Sequence, residues 1–188
     1  DKTPALNAID LTSYAERITE FADRVAQAGL TLVYHPHMMM PVETVEEIDQ
    51  FMNATDPSVQ LLLDTGHIEM TGGDYQIVMN KWWDRISHIH LKDIRQNVLT
   101  SLDTGQTTFD QAVLAGVFTV PGDGDIDFEP LIKKIKADGY DGWLLVEAEQ
   151  DPLIAEPVKM ASTAMTYLAA LLERHNLPFE RNPALARN

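Results

Sequence analysis

The apolar positions of this chain fall into two alternating rhythms. Tyr14, Ile18, Phe21 and Val25 recur at helical spacing and predict a helix over residues 13–28, with Ser13 and Glu16 spaced as a capping box and Gly29 as its stop. A continuous apolar run over 30–35 then predicts a strand. Thr44 and Glu47 form a second capping box, opening a helix to about Asn53 with Val45, Ile48 and Phe51 on its buried side. Asp56 and Pro57 turn the chain into a strand over 59–64. Gly72 and Gly73 form a loop, and Asp74 N-caps a helix over 75–82, where Trp82 and Trp83 pack helix against sheet. A strand over 86–92 follows. A long connection, residues 94–127, contains a short helix within 107–115 and the turn cluster Pro121-Gly122-Asp123-Gly124-Asp125. An excursion of that length inside a compact domain usually serves as an active-site wall or lid. A helix over 128–137 ending at Gly139, a strand over 143–149 and a helix over 156–174 complete the pattern.

Apolar strands alternating with helices mean a parallel α/β sheet covered on both faces. Residues 1–177 read as one α/β domain, and residues 178–188 as a loosely ordered tail. Four strands are the difficulty, because a closed (β/α)8 barrel takes about 250 residues and this chain has 188. The pattern describes either a small open sheet or the second half of a barrel.

The chemistry collects where the strands end. The first strand closes on His35-Pro36-His37, the second on Asp64-Thr65-Gly66-His67, the third on His88-Ile89-His90-Leu91-Lys92-Asp93, and the fourth on Glu147-Ala148-Glu149. Residues two apart on a strand share a face, so His35 pairs with His37, His88 with His90 and Lys92, and Glu147 with Glu149. Polar groups there are costly unless they bind something. Taken singly, each cluster has a plainer account. A buried histidine can bond a carbonyl, Asp64 can cap the next segment, and the glutamates and Lys92 can pair with opposite charges. Four such clusters on four strand ends, the end at which α/β proteins bind ligands, point instead to a divalent-metal site. Gly66 is expected to permit a sharp exit from the second strand. Met38-Met39-Met40 reads as a pliable apolar wall near the mouth.

Composition narrows the partners. With 29 acidic against 14 basic residues, the formal charge is −15, which disfavours nucleic acid. No cysteine is present, so thiolate metal sites are excluded and an ion held by N and O ligands is favoured. No stretch is long and apolar enough for a membrane span, and no signal peptide is visible, so a cytoplasmic protein is expected. The chain begins on Asp rather than Met, so an upstream segment is expected.

Between residues 30 and 152 the chain resembles the inosose dehydratases of the xylose-isomerase-like TIM-barrel superfamily. The stretches that carry this are Leu32 to His37, Leu63 to His67, Gly73-Asp74-Tyr75, His88 to Asp93, Gly116-Val117-Phe118-Thr119-Val120-Pro121-Gly122-Asp123-Gly124, Gly139 to Trp143, and Glu147-Ala148-Glu149-Gln150-Asp151-Pro152. The Asp-Thr-Gly-His and His-x-His-x-Lys-Asp pieces belong to the wider superfamily. The Phe-Thr-Val-Pro-Gly-Asp-Gly and Glu-Ala-Glu-Gln-Asp-Pro pieces are more specific to the dehydratases. The resemblance implies strands five to eight of a (β/α)8 barrel. It places metal ligands at His35, Asp64, His90 and Glu147, with His35 standing where related epimerases have Glu and leaving His37 as the alternative first ligand. The implied reaction is a lyase reaction of inositol catabolism, the loss of water from 2-keto-myo-inositol (scyllo-inosose) through an enediolate. Mn²⁺ or Co²⁺ is the expected ion, with Zn²⁺ or Mg²⁺ as alternatives. Glu149 or Lys92 is the candidate base and His67 or His37 the candidate acid. His37, Asp123 and Trp143 are candidates for contact with a small cyclic polyol ketone. For Asp123 an ordinary turn is the plainer reading. Two other accounts stand beside this one: a sugar isomerase or 3-epimerase on the same scaffold, and a non-catalytic half-barrel. Open sheet edges would drive such a half-barrel to homo-oligomerise.

Overall fold

A computed structural model describes residues 10–102 and 107–178. Helix α1 (Leu11–Gln27) leads into strand β1 (Leu32–Tyr34), then α2 (Val45–Ala54), β2 (Val59–Asp64), α3 (Thr65–Met70) and α4 (Tyr75–Trp82). A single 3-10 turn (Trp83–Arg85) precedes β3 (Ile86–Leu91). The long connection holds β4 (Asp93–Ile94), α5 (Gln96–Ser101), α6 (Phe109–Leu114) and β5 (Phe118–Thr119). Helix α7 (Glu129–Asp138), strand β6 (Trp143–Val146) and α8 (Pro157–Arg174) follow. Of the expected tail, 178–188, residues 179–188 lie outside the described residues.

The main sheet is parallel throughout, in the order β1-β2-β3-β6, with β1 and β6 as open edges. Among the described residues it is an open run of four strand–helix units and does not close. Alternation sorts its two faces. Val59, Leu61, Leu63, Ile89 and Leu91 are buried against the helices, with Leu32, Tyr34, Leu144 and Val146 beside them. Fully burying a side chain of this kind stabilises the fold by about 1.5–3 kcal/mol. The intervening residues, Leu62, Asp64, His88, His90, Trp143, Leu145 and Glu147, fall on the opposite face. The expectation of strands buried on both faces therefore fails on β6, where Trp143 is 77% and Leu145 47% exposed.

Local signals explain most boundaries. Thr44 and Glu47 form the expected capping box of α2, Asp74 caps α4 through Gln76 N, and Gly139 ends α7 with φ 68°. Helix α1 starts earlier than expected. Its cap is Asp10, which accepts from Thr12 N at 3.0 Å and Ser13 Oγ at 2.8 Å, so Ser13 sits inside the first turn. Trp82 and Trp83 lie half-buried against the core, as expected.

The long connection is tied down rather than free. Strands β4 and β5 pair antiparallel. The Asp93 carboxylate accepts backbone N–H groups from Ile94, Ile126, Gly122 and Gly124 at 2.8–3.2 Å. Burial pushes its carboxyl up to about 6 against those bonds. At Gly124 a Cβ would fall 2.4 Å from Asp93 Oδ1, so the turn needs glycine for a close approach. Among the described residues, no helix is long and apolar enough to cross a membrane.

Candidate metal centre

Register brings the four strand ends to one level. Asp64 pairs across with His90, and His90 with Leu145, so Glu147 stands just past the end of β6 beside them. His35 follows directly on β1. The result is a close group: His35 Nε2 lies 3.3 Å and His90 Nδ1 3.4 Å from Asp64 Oδ2. Glu147 Oε2 presses against His90 Nδ1.

Asp64 does two jobs with two oxygens. Oδ1 accepts the His67 N–H at 3.0 Å and caps α3, so the capping account holds for this oxygen and leaves the other one free of that duty. Oδ2 points the other way. It, His35 Nε2 and His90 Nδ1 are all buried, and none makes a hydrogen bond. Three buried polar atoms without a hydrogen bond would be costly, and these three converge within 4.8 Å. Two imidazole nitrogens and a carboxylate oxygen, with Glu147 adjacent, fit a divalent ion of borderline hardness. Electrostatics agree. Although burial alone would raise it, contact with His35 and His90 holds the Asp64 carboxyl well below its usual range. His90, despite its burial, is raised to about 9 by Asp64 and Glu147, while His90 above all lowers Glu147 to about 2.

A second group stands beside the first. His37, His67 and Glu149 also bring ligand atoms within 4.8 Å of one another. His37 Nε2 is 3.8 Å from Glu149 Oε1, and His67 Nε2 is 3.5 Å from Glu149 Oε2. His37 Nδ1 is 2.7 Å from the Met38 carbonyl, the bond that turns Nε2 into the site. The rings of His37 and His67 lie 3.7 Å apart, and Phe109 and Phe118 wall His67 in. Burial, the largest influence, takes His67 down to about 3, so it is neutral.

Lys92 lies between the groups and is fully buried. Its Nζ is 2.8 Å from His67 Nε2, 2.9 Å from Glu149 Oε2 and 3.2 Å from Glu147 Oε1. Thr65 fixes its backbone, donating to Lys92 O at 2.6 Å and accepting from Lys92 N at 3.2 Å. The stem passes over Gly66, where a Cβ would sit 2.5 Å from Lys92 Cγ. This corrects the expected role of Gly66. Strand β2 runs straight into α3, and the residue is small to admit Lys92 rather than to turn the chain.

Not every expected residue arrives. Trp143 begins β6 in the register of His88, about 13 Å down the strand from Glu147 at roughly 3.3 Å per residue. The structure therefore does not bring it to the strand end that carries Glu147 and Glu149. Asp123 is near the rim, but its Oδ2 is taken by Arg95 Nη2 at 2.5 Å and Thr119 Oγ1 at 2.6 Å. Met38 packs with the smaller apolar cluster of Ile94, Ala112, Val117 and Phe118, as a wall residue should. Sequence reasoning missed Arg95, which also donates to Gly116 O at 2.6 Å, and Gln150, whose Nε2 reaches Thr119 Oγ1 at 3.3 Å. The Glu-Ala-Glu-Gln run was the available signal for Gln150. Arg95 had none.

Comparison with known proteins agrees with this fold. The profile of the xylose isomerase-like TIM barrel family matches residues 3–171. An inosose dehydratase of Geobacillus thermodenitrificans (strain NG80-2) is 46% identical over 169 residues, covering 89% of this chain and 57% of that protein. One from Lacticaseibacillus casei is 42% identical over 179 residues, covering 95% of this chain and 59% of that protein. A crystal structure of the IolI protein with a bound zinc atom superposes with a TM-score of 0.63 at 20% identity, over 87% of this chain and 56% of that one. The chain thus spans somewhat more than half the length of the relatives it matches.

Proposed function

The chain belongs to the xylose isomerase-like TIM barrel family, and from that premise we propose that it is the metal-holding part of an inosose dehydratase. The reaction is the loss of water from 2-keto-myo-inositol, a small cyclic polyol ketone, and a cytoplasmic enzyme of inositol breakdown fits it. Similarity to two named dehydratases supports the substrate. The observation that carries the reading is the trio of buried, unbonded atoms, His35 Nε2, Asp64 Oδ2 and His90 Nδ1, aimed at one point beside Glu147.

His35, Asp64, His90 and Glu147 would hold the ion, and His35 rather than His37 is the first ligand, because His37 turns toward Glu149. Mn²⁺ or Co²⁺ suits this N and O set, and the zinc in the IolI structure supports a borderline ion there. Such an ion supplies Lewis-acid stabilisation of the negative charge that develops on the ketone oxygen.

The chain's own residues move the protons. Glu149 is the base. Lys92 fixes its Oε2 at 2.9 Å, which leaves Oε1 directed to the site. His37, whose Nδ1–H donates to the Met38 carbonyl, is the acid: with both ring nitrogens protonated it gives the Nε2 proton to the departing hydroxyl. His67 is less suited, being buried and neutral with its Nε2 facing Lys92. Lys92 is a positioning residue. It is fully buried, and its three N–H groups point to His67, Glu147 and Glu149.

The test is to incubate the Mn²⁺-loaded or Co²⁺-loaded protein with scyllo-inosose and follow the ultraviolet absorbance of the dione. Dione formation that stops on chelation is the expected result. Exchange of the α-proton or epimer formation without loss of water would replace this reading with the isomerase or epimerase one.

A further inference from the structure

The two ligand groups at the strand ends ask for two cations, and the chain supplies one of them itself. We infer that the Lys92 ammonium occupies the cation position of the His37–His67–Glu149 group. The centre then takes one divalent ion where its side chains could hold two, and shortening Lys92 opens a second metal position. This rests on the metal reading of the His35–Asp64–His90 group.

Three observations carry it. The second group has the donors of a metal site: two imidazole nitrogens and a carboxylate within 4.8 Å of one another. His37 carries the orienting bond to a backbone carbonyl typical of a ligating histidine. In this group, however, the acceptors His67 Nε2 and Glu149 Oε2 already face Lys92 Nζ, at 2.8 and 2.9 Å. The corresponding atoms of the first group make no hydrogen bond.

Charge gives the same answer. Asp64, Glu147 and Glu149 bring three negative charges to a largely buried pocket, all near Lys92. One divalent ion and one ammonium bring three positive charges. A second divalent ion added beside the lysine would leave an excess of two in a site poorly screened by water.

Placement is also rigid. Thr65 clamps the Lys92 backbone from both sides. The stem is wedged against Gly66, and the Phe118 ring lies 5.1 Å from the ammonium. A lysine so held does not swing out to admit an ion, so the second position opens only when the side chain is shortened.

The experiment is metal stoichiometry by native mass spectrometry and elemental analysis in excess Mn²⁺, with electron paramagnetic resonance to detect a coupled pair. Wild type should bind one ion. Lys92→Met, which fills the space without charge, should also bind one. Lys92→Ala should bind two and show a coupled signal, and adding His37→Ala to it should return the count to one. Two ions in wild type, or one ion in a folded Lys92→Ala variant, would overturn the inference. If Lys92→Ala does not fold, His37→Ala alone decides. Retention of the single ion supports the inference, and its loss contradicts it by placing the ion on the wrong group. A wild type that binds no ion would reject the metal reading itself, a result distinct from all of these.

Discussion

The two ligand groups are built from the same four strand ends, displaced by two or three residues: His35 against His37, Asp64 against His67, His90 against Lys92, and Glu147 against Glu149. In the first group the innermost atoms are buried and without hydrogen bonds. In the second they gather around an ammonium. The third strand makes the difference, because it sends an imidazole to one group and a lysine to the other. One residue type at one register position thus separates a group whose buried atoms lack hydrogen bonds from a group already filled by a side chain.

The largest effect should come from breaking the first group alone. Asp64→Asn keeps an oxygen for the α3 cap but loses the anionic ligand. Metal content should fall to background, and turnover by at least about 10²–10³-fold, with Tm no longer raised by added metal. Asp64→Ala should add a capping loss of about 1 kcal/mol, readable by denaturant unfolding. Breaking the second group should do the opposite. Glu149→Gln should lower kcat by about 10²–10⁴-fold while metal analysis still finds one ion. If Glu149→Gln lost the ion, the two groups would not be separable.

Gly66→Ala disturbs both groups at once. Its Cβ would overlap the Lys92 stem, so overpacking should cost about 1–3 kcal/mol and shift both metal affinity and turnover. A variant with wild-type stability would show that Lys92 is loosely held.

Protons compete with metal in the first group. His90 is raised to about 9 by Asp64 and Glu147. In the metal-free protein its charged form therefore contributes stability that is fully present below about pH 6.5 and is lost as pH rises through about 9. Metal binding displaces that proton, so apparent affinity should rise with pH over the same window. Calorimetry in buffers of different ionisation enthalpy would count the proton released. A pH-independent affinity would place the ion away from His90. As the smallest effect and a control, Thr44→Ala should cost about 1 kcal/mol through the α2 capping box and leave both groups unchanged.

How much of this was legible depends on how local each signal is. The clusters that hold His35, Asp64, His90 and Glu147 were legible because each ends an apolar run and alternation places residues two apart on one face; the choice of these four within the clusters came from the family resemblance. The same alternation brought in Lys92 and Glu149. Helix α2 was legible because Thr44 and Glu47 carry their own cap. Trp143 was legible as the start of its strand, and that position alone keeps it about four residues from the end that carries Glu147. The true α1 cap, Asp10, was hidden behind a Ser13 and Glu16 pair with the right spacing. The β4–β5 pair was invisible, since two strands of two residues have no periodicity and depend on Asp93 gathering N–H groups from Gly122, Gly124 and Ile126. Arg95 was equally silent, because its partners lie 21 to 28 residues away.

The central claim is that one divalent ion is held by His35, Asp64, His90 and Glu147. A crystal soaked in Mn²⁺ and measured for anomalous scattering tests this most directly. The account predicts a single peak bonded to those four side chains, with Lys92 still between Glu147 and Glu149. A peak seated on His37, His67 and Glu149, or no peak at the strand ends, would contradict it.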